Sequence, residues 1–207
     1  MTAPFGTSQL VDYLKRMNLK IARVDSDREV IELAFHGEHG QWRMIVGFQQ
    51  QGDTRKLLLI VPHVGTITTK RRLECLEALM AVNYRIALGK FGFDLEDGEV
   101  RLEEAIGIGT QGLSFEQFYL VFHALMQTMA MYHSLLPRII YAGVEVKEAI
   151  ATCEQEFLAS LEQGKLGSAT SSPLAGQSPL EPEPRNSEFD LNDIMAEVAR
   201  IIDEHKQ

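Results

Sequence analysis

The chain has 207 residues, with 20 Lys and Arg against 29 Asp and Glu, a formal net charge of −9. Its 45% hydrophobic content is ordinary for a globular protein and excludes a wholly disordered chain. The acidic balance excludes a general nucleic-acid binder, whose phosphate contacts need clustered Lys and Arg.

No run approaches the roughly 20 apolar residues that span a bilayer. The start, MTAPFGTSQLVDYLKRM, lacks the basic opening and apolar stretch of a signal peptide. Cys75 and Cys153 are too few for a disulfide framework, and nothing favours a bridge between them. A cytoplasmic protein with reduced thiols is expected. The charge is uneven. Residues 1–150 hold 18 acids and 16 bases, residues 151–180 three acids and one base, and residues 181–207 eight acids and three bases. More than half the excess therefore lies in the last 27 residues, and the body has no strong field of its own.

In chain order, Ser8 is a candidate cap for a helix burying Leu10, Val11, Leu14 and Met17, with Asn18 ending it. Asp25–Arg28 reads as a turn. Ile31, Leu33 and Phe35 then alternate with more polar neighbours, and Trp42, Met44, Val46 and Phe48 share one face of the next strand. After a turn at Gly52-Asp53, Leu57–Val61 is continuously apolar, as in a strand covered on both faces. Short turns make these three strands antiparallel neighbours.

Thr68 or Thr69 can cap a helix over about residues 70–88, with Leu73, Leu76, Met80 and Tyr84 as its apolar face and Gly89 as terminator. Phe91–Leu95 and Glu99–Ile106 form a hairpin around Glu96-Asp97-Gly98. Ser114 and Gln117 make a capping box. The helix it opens carries Phe115, Phe118, Tyr119, Phe122, Leu125, Met126, Met129 and His133 down one side, and Pro137 kinks or ends it. A further helix follows over residues 144–161, using Val146, Ile150, Cys153, Phe157 and Leu161.

Residues 164–187 hold four of the seven prolines, many serines and no aromatic residue, the composition of a flexible linker. Pattern resumes over residues 188–207. Phe189, Leu191, Ile194, Met195, Val198, Ile201 and Ile202 fit one helical stripe with an acidic opposite face. A helix this short is marginal alone, so the stripe is a candidate partner-binding arm. Its polar face is acidic, which argues against a membrane surface. The domain plan is 1–143 for the α+β body, 144–163 for an added helix, 164–187 for the linker and 188–207 for the arm.

The element order helix, three strands, helix, two strands, helix makes the fold class α+β, a small antiparallel sheet of about five strands packed against helices. Residues 73–106 and 113–139 resemble the YbjN family. The matching features are Asn83-Tyr84, Gly89-Lys90-Phe91 leading into a strand, the Asp97-Gly98-Glu99-Val100 hairpin, and Leu113-Ser114 opening a helix. The likeness extends over about residues 8–142. It implies a type III secretion chaperone-like fold and a bacterial binding module rather than an enzyme. The family's members are described as sensory transduction regulators without an established reaction.

The residues give little sign of catalysis. His36 and His39 flank a turn without the further ligands a metal needs, and no cofactor is expected. His63 reads as strand-end packing and His133 as a hydrogen-bonded apolar-face histidine. Glu103 and Glu104 are adjacent on a strand and point apart, so they cannot form an acid/base pair. Cys75 lies near Arg71 and Arg72, yet its place beside the apolar face makes it an inert thiol. GIGTQG (107–112) lacks the P-loop lysine. Lys70, Arg71 and Arg72 open a helix, where the macrodipole disfavours cations. With Arg55 and Lys56 they form a candidate docking patch for an acidic segment or a small anion. The functional expectation is a non-catalytic interaction module, homodimeric, with protein partners. The alternative is a small-molecule or anion sensor using Lys70–Arg72.

Overall fold

A computed structural model of the chain describes residues 5–37 and 40–162. The expected linker (164–187) and arm (188–207) lie outside the described residues.

The elements run α1 (Thr7–Arg16), β1 (Ile21–Asp25), β2 (Val30–Gly37), β3 (Gly40–Gln51), β4 (Thr54–Thr66), α2 (Arg72–Arg85), β5 (Lys90–Phe93), β6 (Glu99–Ile108), α3 (Phe115–Tyr132), α4 (Leu135–Ile140) and α5 (Val146–Glu162). The strands form one open antiparallel sheet in the order β1-β2-β3-β4-β6-β5. The class is α+β, with six strands rather than about five. The strand missing from the sequence reading is β1. Its Ile21-Ala22-Arg23-Val24-Asp25 lies at the sheet edge with three exposed residues in a row, so it has no alternation to detect.

One face of the sheet is buried under the helices. Ile31, Leu33, Met44, Val46, Leu57, Leu59, Val61, Val100 and Leu102 on that face are fully buried. Phe118, Phe122 and Leu125 of α3 and Leu10 and Leu14 of α1 meet them from above. Each such Leu or Phe contributes about 1.5–3 kcal/mol by leaving water. Gly65 admits α4 closely, because a Cβ there would stand 2.7 Å from Leu136 Cδ1.

Local signals explain most helix ends. Asn18 has φ 55° and closes α1, with its N–H on Lys15 O (2.9 Å) and Leu19 N–H on Leu14 O (3.0 Å). That pair of bonds is a Schellman motif. At the other end of α1 the cap position is Gly6 rather than Ser8, its N–H donating to Gln9 Oε1 at 2.9 Å. Ser114 and Gln117 form both capping-box bonds, at 3.2 and 3.0 Å. Helix α3 stops at Tyr132 because Pro137 in the first turn of α4 would clash with the carbonyl four residues back, that of His133.

Three expectations are corrected. Leu57–Val61 is fully buried on one face only, and Leu58 and Ile60 are half-buried. Helix α2 begins at Arg72 rather than residue 70 and ends at Arg85, short of Gly89. Its core-facing side is Cys75, Ala78, Leu79 and Val82, whereas Leu73, Met80 and Tyr84 are exposed. Helix α2 has apolar residues on two opposite sides, and its smaller side chains are the ones that fit beneath α4 and α5.

Candidate protein-binding surface

Strand alternation sends every second side chain away from the helices. On that reverse face the register sets Ile45 against Ile60, Gly47 against Leu58, Leu58 against Ala105 and Ile60 against Glu103. Ile45, Leu58 and Ile60 make a half-buried apolar centre. Glu32 lies opposite Ile45 and Lys56 opposite Gly107. Arg43, Arg101 and Glu103 share the same parity and complete a rim of both signs. Arg101 and Glu103 pair at 2.8 Å. Gly47 keeps the floor flat, since a Cβ there would press on Val30 Cγ2 at 3.1 Å. Next to this face lies a shallow open depression lined by Gly92, Phe93, Asp94, Glu99, Arg101 and Glu103. An apolar strip inside a mixed-charge rim suits a protein surface, with area supplying affinity and charges supplying register.

The sequence reading missed this face. Ile45 falls between Met44 and Val46, and Leu58 and Ile60 fall inside an unbroken apolar run, so the second face was hidden by the first. The detectable signal was apolar residues of both parities on adjacent strands.

The candidate basic patch does not converge. Arg55 and Lys56 stand at the start of β4, and Lys70 follows its far end, on the order of 30 Å away at strand rise. Arg55 pairs with Glu29 (2.5 Å) and lies over the Phe48 ring, while Lys56 joins the rim of the reverse sheet face. Arg71 adopts φ 57°, donates from Nη1 to Ile139 O at 2.9 Å and pairs with Glu74 at 3.4 Å. Arg72 sits over Phe93, 4.9 Å from the ring centre. Arg71 and Arg72 thus fasten the start of α2 to α4 and β5, and Lys70 is exposed.

The motif residues are structural. Asn83 holds Phe91 at both ends of its peptide, accepting Phe91 N–H on Oδ1 (2.8 Å) and donating to Phe91 O (3.0 Å). Lys90 Nζ donates to Asn83 O and Ile86 O and caps α2, which is why the helix ends before Gly89. Gly89 has φ 78°, and its N–H donates to Glu104 Oε2 at 2.6 Å. Glu104 faces inward for that bond and Glu103 outward, as alternation requires. Gly98 also has φ 78°, and a Cβ there would stand 2.6 Å from Ile67 O.

His36 is exposed, and His39 lies outside the described residues. His63 is not packed at a strand end. It is exposed in a β4 bulge at φ 53°, with its N–H donating to Glu99 Oε1 at 2.8 Å. His123 stacks on Tyr119, donates from Nδ1 to Tyr119 O (3.1 Å), and is pushed by burial below the usual histidine range. His133 caps α3 and bonds to Ala130 O at 3.0 Å. Cys75 and Cys153 are buried free thiols, and burial pushes both upward in pKa. Among the described residues no group of three His, Cys, Asp or Glu side chains could hold a metal ion.

Residues 8–136 match the family model YbjN, described as "Putative bacterial sensory transduction regulator". The chain belongs to the YbjN family. It is also similar to a chain in the crystal structure of the ExsC–ExsE complex, with 21% identity over 63% of this chain and 92% of that one, at a TM-score of 0.44. YbjN from E. coli is similar at 13% identity over 77% of this chain and 96% of that one, with a TM-score of 0.40. No curated protein matches. The YbjN match spans α1 through the first part of α4, so the Asn83, Lys90, Gly98 and Ser114 contacts all fall inside it. No helix among the described residues is long and apolar enough to cross a membrane.

Proposed function

We infer that this YbjN-family chain is a non-catalytic protein-interaction module, a chaperone-like or regulatory adaptor of the cytoplasm that acts as a homodimer. The reading is carried by the reverse sheet face, where Ile45, Leu58 and Ile60 are half-buried inside a rim of both charges. Burying such a strip against another protein removes apolar surface from water without burying an unpaired charge. Titratable side chains on or around it include Glu32, Arg43, Lys56, Arg101 and Glu103, residue types that orient a partner. The stripe Phe189 to Ile202 is a second proposed partner-binding element, tethered by residues 164–187, whose reach as a flexible chain is about 25–30 Å.

Affinity capture tests the reading. The full chain, a Leu58→Asp/Ile60→Asp variant and a chain ending at residue 165 are compared as baits, with captured proteins identified by mass spectrometry. The specific partner should be lost with the sheet variant while its circular dichroism stays native. Loss from the shortened chain as well adds the arm to the binding surface. Identical captured proteins from wild type and sheet variant, or no specific partner for either, overturn the reading.

A further inference from the structure

The apolar centre of the reverse sheet face has a cation at either end. Along β3 the outward positions run Arg43, Ile45, Gly47 and Gln49, and along β4 they run Lys56, Leu58 and Ile60. Lys56 lies opposite Gln49, so Arg43 stands six residues, about 20 Å at strand rise, from the level of Lys56. Ile45, Leu58 and Ile60 lie between those two levels. Neither cation forms an ion pair or side-chain hydrogen bond among the described residues, whereas Arg101 on the neighbouring β6 is already paired with Glu103.

The sequence carries the complementary pattern in residues 188–207, which lie outside the described residues. At about 100° per residue, Asp190, Glu197 and Glu204 fall within about 40° of one another on one flank of a helix, beside Ile194 and Ile201. Asp190 and Glu204 are 14 residues apart, about 21 Å at helical rise. Leu191, Ile194, Met195, Val198, Ile201 and Ile202 stand between them. Acid, apolar stripe and acid thus match cation, apolar strip and cation in order and in length.

We propose that the arm docks as a helix on the reverse sheet face of its own chain, lying along β3 and β4 with its acidic ends at Arg43 and Lys56. The proposal rests on the partner site inferred above and gives that site a built-in occupant. A stripe this short holds its helix only when packed, and the sheet face supplies the packing. A linker of the length of residues 164–187 keeps the arm at a local concentration on the order of 1 mM, so even a weak contact is filled. Docking covers both apolar surfaces in the free chain. A protein partner has to displace the arm, and then meets the sheet and the freed stripe together.

Hydrogen exchange read by mass spectrometry on the purified full chain tests this. Amides of residues 191–203 should exchange at least about tenfold slower than in a free peptide. Leu58→Asp/Ile60→Asp and Arg43→Glu/Lys56→Glu should each remove that protection while exchange in α3 stays native. Adding Asp190→Lys/Glu204→Lys to Arg43→Glu/Lys56→Glu should bring it back, because the charges are then exchanged rather than removed. An unprotected arm in the wild type overturns the proposal. Protection that persists in both sheet variants, or that fails to return with the exchanged charges, overturns this docking site. Protection that falls on dilution overturns docking within one chain, since it reports the arm of a second copy. Partner capture is read without this signal, so the partner site stands if the arm is unprotected, and a docked arm stands if no partner is captured.

Discussion

Three helices meet at one buried carboxylate, and its removal gives the sharpest test of how the helical layer holds together. Glu154 of α5 is buried, accepting Arg85 Nη1 of α2 at 2.6 Å and Tyr132 Oη of α3 at 3.0 Å. Burial, and then the Glu154 charge, pushes the Tyr132 phenol well above the usual tyrosine range, so it stays a donor at any working pH. Arg85→Met strands a carboxylate with only one neutral donor. Breaking a buried pair this way costs about 3–5 kcal/mol. The Arg85 side chain is 45% exposed, so solvent reaches the pair and about 2–3 kcal/mol is the better figure. Glu154→Met costs less, about 1–2 kcal/mol, because Arg85 can turn to water and only the Tyr132 hydroxyl loses its partner. The double variant should be less destabilised than Arg85→Met alone, since no stranded charge remains. Urea unfolding of the four proteins measures all three values. Thermal midpoints should fall by about 4–12 °C for Arg85→Met. A cost below about 0.5 kcal/mol for Arg85→Met, or strictly additive effects in the double variant, would refute the reasoning.

Two further outcomes follow from the contacts. Asn83→Ala removes both bonds to Phe91 and should cost about 1–3 kcal/mol, with faster amide exchange confined to β5 and the end of α2. Unchanged exchange at Phe91 would contradict the role given to Asn83. His123 is held by burial below its unfolded pKa of about 6.5, so the unfolded chain binds more protons as pH falls from that value. Stability should therefore drop as pH falls below about 6.5, and His123→Gln should flatten that part of the profile. An unaltered slope in the variant would count against a neutral buried His123.

Signals carried by adjacent residues were legible in the sequence. The Ser114–Gln117 box, the Asn18 terminator and the β3 alternation each depend on a few neighbouring positions, and each stands where expected. Signals that depend on what lies across space were not. Helix α2 is apolar on two sides, and periodicity alone cannot say that the side bearing Cys75 and Ala78 faces inward. Arg55 and Lys70 look close in the chain, yet the length of β4 stands between them. The Ile45–Leu58–Ile60 centre exists only once the register aligns three residues from two strands. Asn83, Lys90 and Phe91 all stand in the motif, but nothing in their spacing says that Asn83 bonds Phe91 or that Lys90 caps α2.

The lengths of the strands bear on how this sheet meets other molecules. Its two longest strands, β3 and β4, are interior, while the borders are β1 with five residues, broken by a register shift and bearing Arg23, and β5 with four, opening on Lys90. Short, interrupted, cationic borders give a foreign strand few free backbone groups to pair with. Along β1 and β5 the sheet is thus less open to sideways growth and to strand addition. A visitor that lies across the strands reads side chains rather than backbone, so selectivity would rest on residues that can change without disturbing the fold.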